Sequence, residues 1–304
     1  MPRLRPRRRA ALTLILAAAS WGIGVVISKR AVAEIPPLTL LPIQLAASLL
    51  LLAVLMPLRG VPLRDRSAAP ILGRLGLLNP GLAYALSLLG LVHITASLSV
   101  MLWALEPLLI VVLAAVVLGE RIAPSLVFLS LVAVGGMGLV IYEPTGSGSL
   151  LGVALTLAGV ACCAVYTVIA RRWLGTADAT APVVMTQQAH AIGLALALVA
   201  GLWVLGGAVW PDGVTPAGWL SAAGSGVLYY GVAYWLYLSA LRVVPASFAS
   251  SSFYLIPVFG VTAGLLSLGE RLDPSQWVGA AIVLVAVLTI LRRAEDPVTA
   301  SPLT

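Results

Sequence analysis

The chain has 304 residues, of which 61% are hydrophobic and only 10% charged, with a formal charge of +7. Soluble domains carry roughly 25% charged residues, so an ordinary soluble protein is excluded. No metal-ligand set, GxxxxGK[ST] loop or nucleophile–base signature is present, which argues against a cofactor-dependent enzyme or a nucleotide hydrolase.

Apolar runs of about 20 residues, each long enough to cross a bilayer core of about 30 Å, recur from end to end. The first covers 11–33. Its lead-in, "MPRLRPRRRAALTLILAAAS", has the basic and apolar regions of a signal peptide, but the apolar run continues through "WGIGVVIS". An uncleaved first helix is expected, carrying Trp21. The second run (38–57) holds Gln44, and the third (69–91) holds Asn79 followed by Pro80. The fourth (95–118) contains Trp103, Glu106 and Pro107 and ends in "LGERI". The fifth (123–142) carries "VGGMG", whose small residues permit close helix contact.

After the "GSGS" loop at 146–149 comes a sixth run (149–170) with adjacent Cys162 and Cys163. Neighbouring positions on a helix point to different sides, so these pack as small hydrophobes rather than as a disulfide. The seventh (181–205) holds Gln187, Gln188 and His190, read as interhelical hydrogen-bonding residues. The eighth (216–240) carries "YYGVAYWLY", with Tyr230, Tyr234 and Tyr237 on one face. The ninth (245–268) carries "ASFASSSFY", with Ser250 and Tyr254 sharing a face, and the tenth covers 274–291.

Ten crossings return the chain to the side on which it began. Arg3, Arg5, Arg7, Arg8, Arg9, Arg59, Arg64, Arg66, Arg74, Arg121, Arg171, Arg172, Arg242, Arg292 and Arg293 then fall on one side; Lys29, Arg30 and Arg271 fall on the other. This is the positive-inside distribution. It explains the basic excess as orientation, with both termini cytoplasmic, and not as nucleic-acid binding.

The chain also repeats itself. "LGERIAP" (118–124) matches "LGERLDP" (268–274) at an offset of 150 residues, where Pro107 also meets Pro257 and Tyr84 meets Tyr234. Five spans per copy is an odd number, so the second copy enters the membrane from the opposite side. The expected fold is an all-α membrane protein of ten transmembrane helices in two inverted-topology repeats. Residues 1–10 form a basic cytoplasmic N-terminus, 11–142 repeat 1, 143–148 a linker, 149–291 repeat 2 and 292–304 a cytoplasmic tail. Inverted repeats mark secondary transporters with a midplane site between the halves.

The first-span pattern "AAASWGIGVVISKRAV", the stretch "ALEPLLIVVLAAVVLGERI" and its echo "YLIPVFGVTAGLLSLGERL" resemble the drug/metabolite transporter superfamily, in its EamA-like branch. The resemblance covers essentially the whole chain. It implies a multi-pass bacterial inner-membrane exporter of small metabolites or drugs, with a cavity lined mainly by spans 1, 3, 4, 6, 8 and 9. It does not imply a particular substrate.

Glu106 is the foremost site residue. A charged, unpaired carboxylate at a membrane helix centre costs about 2.5–3.5 kcal/mol on insertion scales. It avoids that cost by facing a wet cavity, by pairing, or by staying protonated. Ile256 occupies the matching position in the second copy, so the acid is unique to the first. It is expected to meet a cationic part of the substrate or to carry a coupled proton; the competing reading is a buried acid that serves only assembly. Trp103, Trp21, Asn79, Tyr230, Tyr234, Ser250 and Tyr254 complete the candidate substrate or coupling set. Pro80, Pro107 and Pro257 should free the carbonyls of Gly76, Trp103 and Phe253, or act as simple packing kinks. Glu120 and Glu270 are expected to anchor loops. The partners expected are a small-molecule substrate, membrane lipid and protons, with no nucleic acid. One chain of ten spans is expected to act as a monomer. Import, exchange or a scaffold role without transport are the alternatives.

Overall fold

The computed structural model describes residues 6–64, 66–91, 93, 102–103, 105–120, 122–141, 149–211, 213–268 and 274–293. Among them the regular structure is entirely helical. Two long helices open the chain, α1 (Pro6–Val32) and α2 (Pro37–Leu58). Next come α3 (Pro70–Gly76) and α4 (Ala83–Leu91), joined by a π-helical turn at Leu77–Leu82. Then follow α5 (Glu106–Leu118), α6 (Pro124–Ile141), α7 (Leu150–Trp173) and α8 (Thr180–Val204). A second π-helical turn, Val227–Val232, joins α9 (Pro216–Gly226) to α10 (Ala233–Leu241). Finally α11 (Ala246–Ser250) passes through a 3₁₀ turn at Ser251–Tyr254 into α12 (Leu255–Leu268), followed by α13 (Pro274–Arg293).

Four stretches are long and apolar enough to cross a bilayer unbroken: 8–32, 37–58, 150–176 and 180–204. These helices are apolar on both faces. In α2, Leu45, Leu52 and Met56 are buried, while Leu50, Val54 and Leu58 point outward at four-residue spacing. A helix that is hydrophobic all round belongs in a membrane or a large core, and the outward leucines suit lipid.

The fifth and tenth runs form single helices of 18 and 20 residues, whereas the third, fourth, eighth and ninth are interrupted. The third run breaks at Asn79, whose backbone leaves the helical region (φ −146°, ψ 122°) just before Pro80. Proline disfavours the α conformation in its predecessor, which explains the break. The eighth run has no internal proline, yet its π turn lies 150 residues after that of the third. The fourth run departs from expectation. Glu106 was expected near the middle of a helix over 95–118, but α5 begins at Glu106. Leu105 donates to the carbonyl of Leu102, three residues back, at 3.1 Å. Pro107 explains the boundary: it has no N–H to continue the preceding helix and its ring is well suited to a first turn. The acid therefore sits in the first turn of a helix.

Packing is intimate where small residues face each other. α2 lies along α8, α3 packs on α8, and α9 packs on α2. α4 lies on α7 and α10 on α1, α5 reaches α7 and α12 reaches α1, and α6 pairs with α13. At the α3–α8 crossing, a Cβ on Gly76 would come within 2.0 Å of the Gln187 carbonyl oxygen. At the α9–α2 crossing, a Cβ on Gly226 would come within 2.3 Å of the Gln44 carbonyl oxygen. Backbone thus meets backbone at two matching places.

Two carboxylates tie sequence-distant helix starts. Glu34 accepts from the Thr215 N–H (2.6 Å) and hydroxyl (3.0 Å) at the head of α9. Glu120, just past the left-handed Gly119 that ends α5, accepts from the N–H groups of Ala246 (2.9 Å) and Ser247 (3.3 Å) and from the Ser247 hydroxyl (2.6 Å). Glu270 and Arg271 lie outside the described residues. Substituting Gly76→Ala or Gly226→Ala should destabilise the bundle by about 1–3 kcal/mol through overpacking. Thermal unfolding in detergent will measure this, with Gly224→Ala, which has nothing within 4 Å, as the neutral control.

Candidate functional site

The two broken helices and α1 converge on a cluster of aromatic rings. Trp21 of α1 is 5% exposed and lies edge-on to Tyr234 (centroids 5.4 Å apart), Tyr237 (5.5 Å), Phe253 (5.4 Å) and Tyr229 (6.5 Å). Such T-shaped contacts match the positive edge of one ring to the negative face of another. Tyr84 of α4 stacks on Trp103 (5.6 Å, 23° between planes) and meets Tyr229 and Tyr230 at 5.7 and 5.5 Å. Rings from both halves of the sequence therefore form one continuous group.

The wide turns position these rings. In a π turn the N–H bonds five residues back, as Ala83 does to Leu78 and Ala233 to Leu228. The extra residue releases backbone groups and shifts the side chains around the axis. Gln188 of α8 donates to the released carbonyl of Tyr230 at 2.5 Å, and its own oxygen accepts from Ser48 at 3.0 Å. Gln187 donates to the Leu72 carbonyl (2.8 Å) and accepts from the Tyr166 hydroxyl (2.9 Å). Gln44 donates to Ser225 (2.8 Å) and Ser28 (2.9 Å).

A polar thread runs through the rings. The Tyr234 hydroxyl donates to Asn79 Oδ1 at 2.7 Å and lies 3.4 Å from the Tyr84 hydroxyl, which donates to Tyr229 at 3.1 Å. Trp103 Nε1 donates to Ser87 Oγ at 2.9 Å. Among the described residues the buried Trp21 Nε1 has no hydrogen-bond partner, and the buried Tyr237 hydroxyl lies beside Thr167 without reaching hydrogen-bond geometry.

Glu106 borders this cluster. It is 9% exposed and close enough to Cys163, Tyr229 and Tyr237 to couple electrostatically with them. Among the described residues its carboxyl makes no hydrogen bond and no ion pair. The arrangement suits binding and not covalent chemistry, and no group of three His, Cys, Asp or Glu among the described residues can hold a metal ion.

A scan against protein families matches the EamA-like transporter family twice, over residues 8–142 and 150–292. The chain belongs to the EamA-like transporter family. It is a multi-pass membrane protein. An uncharacterized transporter of Archaeoglobus fulgidus is 25% identical over 290 residues, spanning 93% of this chain and 98% of that one. The uncharacterized transporter YvbV of Bacillus subtilis is 27% identical over 296 residues, covering 94% and 92%. A solved crystal structure shares the fold with a TM-score of 0.76 at 20% identity, covering 93% of this chain and 98% of that one.

Within this EamA-like chain, Trp21, Asn79, Trp103, Glu106, Tyr230 and Tyr234 come together at the aromatic cluster. Ser250 and Tyr254 do not join it. Ser250 donates to the carbonyl of Ser247 three residues back (3.0 Å), as Ser251 does to Phe248 (2.7 Å) and Ser252 to Ala249 (2.8 Å). Tyr254 is fully buried on the side of Ser130 of α6, and neither hydroxyl reaches hydrogen-bond geometry. Tyr84, Ser87, Tyr229 and Phe253 are members that residue-by-residue reading passed over. The match of Tyr84 to Tyr234 across the repeat is the signal that leads to the first of them.

Tyr234→Phe should destabilise the protein by about 1–3 kcal/mol, because it strands the buried Asn79 oxygen without its donor. Tyr166→Phe, which takes the donor from the buried Gln187 oxygen, should cost a similar amount away from the aromatic cluster. Melting curves in detergent test both.

Proposed function

We propose that this EamA-like chain is a secondary transporter of the bacterial inner membrane that exports small organic metabolites by alternating access. The substrate class is amino acids, related compounds or drugs. The reading takes the chain as ten membrane spans in two inverted five-helix repeats, 11–142 and 149–291, with both termini cytoplasmic and one chain forming the pathway.

Several observations support the repeat. The family domain is matched once in each half. The two π turns are 150 residues apart. Exchanging the halves turns the α3–α8 contact into α9–α2, α4–α7 into α10–α1, and α5–α7 into α12–α1. Two halves built alike can exchange conformations, which is the physical basis of alternating access.

The observation that carries the transport site is the carboxyl of Glu106, unpartnered among the described residues, beside rings drawn from both halves. A buried acid without a partner is costly, and buried polar groups are rarely left unsatisfied. A cationic or hydrogen-bonding substrate, or a proton, would satisfy it. Trp21 Nε1 and the Tyr237 hydroxyl, both buried and without a hydrogen bond among the described residues, add two donors for substrate oxygen atoms. Aromatic faces favour apolar groups and cations alike.

A metabolite screen comparing export from overexpressing and deletion cells identifies the substrate. With that substrate in proteoliposomes, Glu106→Gln should lower flux by about tenfold or more, the equivalent of one lost hydrogen bond to a charged group. It should also flatten the pH dependence while the protein stays folded and inserted. Unchanged flux across a pH series sinks both roles for the acid.

A further inference from the structure

A separate site lies where α3 crosses α8, away from the aromatic cluster. A cavity of about 290 Å³ opens there, with Pro70, Leu72, Pro182 and Val183 as an apolar wall. Its polar lining is Arg64, Arg74, Thr186 and His190. Pro182, Thr186 and His190 are four residues apart, so they stack along one face of α8 over about 12 Å. Gly73 brings α3 close to this face: a Cβ there would come within 2.7 Å of Thr186 Cγ2 and 3.6 Å of His190 Cε1.

Among the described residues lining this cavity, the charge is all of one sign. Arg64 and Arg74 are exposed, and among the described residues neither has a carboxylate partner. His190 Nδ1 lies 2.8 Å from the Thr186 carbonyl oxygen, which only accepts, so Nδ1 carries a proton and Nε2 is the ring's remaining polar atom. Among the described residues no acid lines the cavity.

Two guanidinium groups at the rim of an apolar hollow make an amphipathic site. Guanidinium forks match phosphate oxygens in a bidentate way. A soluble phosphate gains nothing from Leu72 and Val183. A zwitterionic headgroup carries an ammonium that the arginines repel. An anionic phospholipid satisfies both parts at once, and basic pockets between membrane helices are suited to such headgroups.

We propose that the α3–α8 cavity is an anionic-phospholipid site. Arg64 and Arg74 hold the phosphodiester, and the wall of Pro70, Leu72, Pro182 and Val183 takes the glycerol and the upper acyl chain. The proposal concerns a lipid held by the scaffold and is independent of what the protein transports.

The test uses the purified full-length chain in neutral detergent, titrated with phosphatidylglycerol, phosphatidylcholine or inorganic phosphate, with bound lipid read by native mass spectrometry. One phosphatidylglycerol should bind in preference to phosphatidylcholine, and inorganic phosphate should not displace it. Arg64→Gln with Arg74→Gln should weaken phosphatidylglycerol by about 30-fold, and each single variant by about fivefold. The pair Arg66→Gln with Arg172→Gln removes equal charge outside the cavity and should leave affinity unchanged. Equal retention of the two lipids overturns the proposal. So does displacement by inorganic phosphate, which would make this a soluble-anion site. So does an equal loss in the control pair, which would mean diffuse attraction. The single variants keep the test open if the double variant fails to insert; unchanged affinity in both overturns it.

Discussion

A backbone carbonyl that leaves its helix inside a bilayer has no water to bond, so the protein itself must supply a donor. The architecture of this chain follows from that constraint. Two helices are widened into π turns, and the groups released have to be answered from neighbouring helices. Gln188 answers Tyr230, and its neighbour Gln187, pointing to another side of α8, holds the Leu72 carbonyl of α3. Gln187 reaches because Gly76 lets α3 and α8 touch backbone to backbone, and Gly226 does the same for α9 against Gln44 of α2. Each break therefore depends on a close crossing, and each crossing depends on a missing side chain.

What the breaks accomplish is the convergence of rings. A straight helix repeats its face every three to four residues, so it cannot present Tyr229, Tyr230 and Tyr234 together. The extra residue of the π turn resets the register, and these tyrosines meet Trp21 and Tyr84 in one group. Among the described residues, the same group leaves two N–H or O–H donors without a hydrogen bond and borders an acid that has none. Rigidity from interlocked rings and unspent polar capacity coexist within it, as befits a surface that is to be completed by a ligand.

Much of this was legible in the residues. Apolar runs and their length announced membrane helices, and the recurrence of "LGER" announced the family-scale duplication. Asn79-Pro80 announced a break, since proline restricts its predecessor. The break at Val227–Val232 was not legible, because no proline marks it; the π turn there is set by tertiary contacts with α2 and α8, which local sequence does not encode. Glu106 was visible as an anomaly, but its place at the head of α5 was not, since apolar composition is the same on both sides of the boundary. The serines of "ASSS" read as substrate donors or as small packing residues. They spend their hydroxyls on their own helix, a local competition that a list of polar residues cannot reveal.

The bonds to Glu120 have a mechanical consequence. One carboxylate at the end of α5 holds two backbone N–H groups and a hydroxyl at the start of α11, 126 and 127 residues further along the chain. The link works as a shear pin. It fixes the spacing of a helix tail and a helix head directly, where the sequence joins them only through the whole run of helices α6 to α10. Any rearrangement that separates α5 from α11 at this end must break all three bonds.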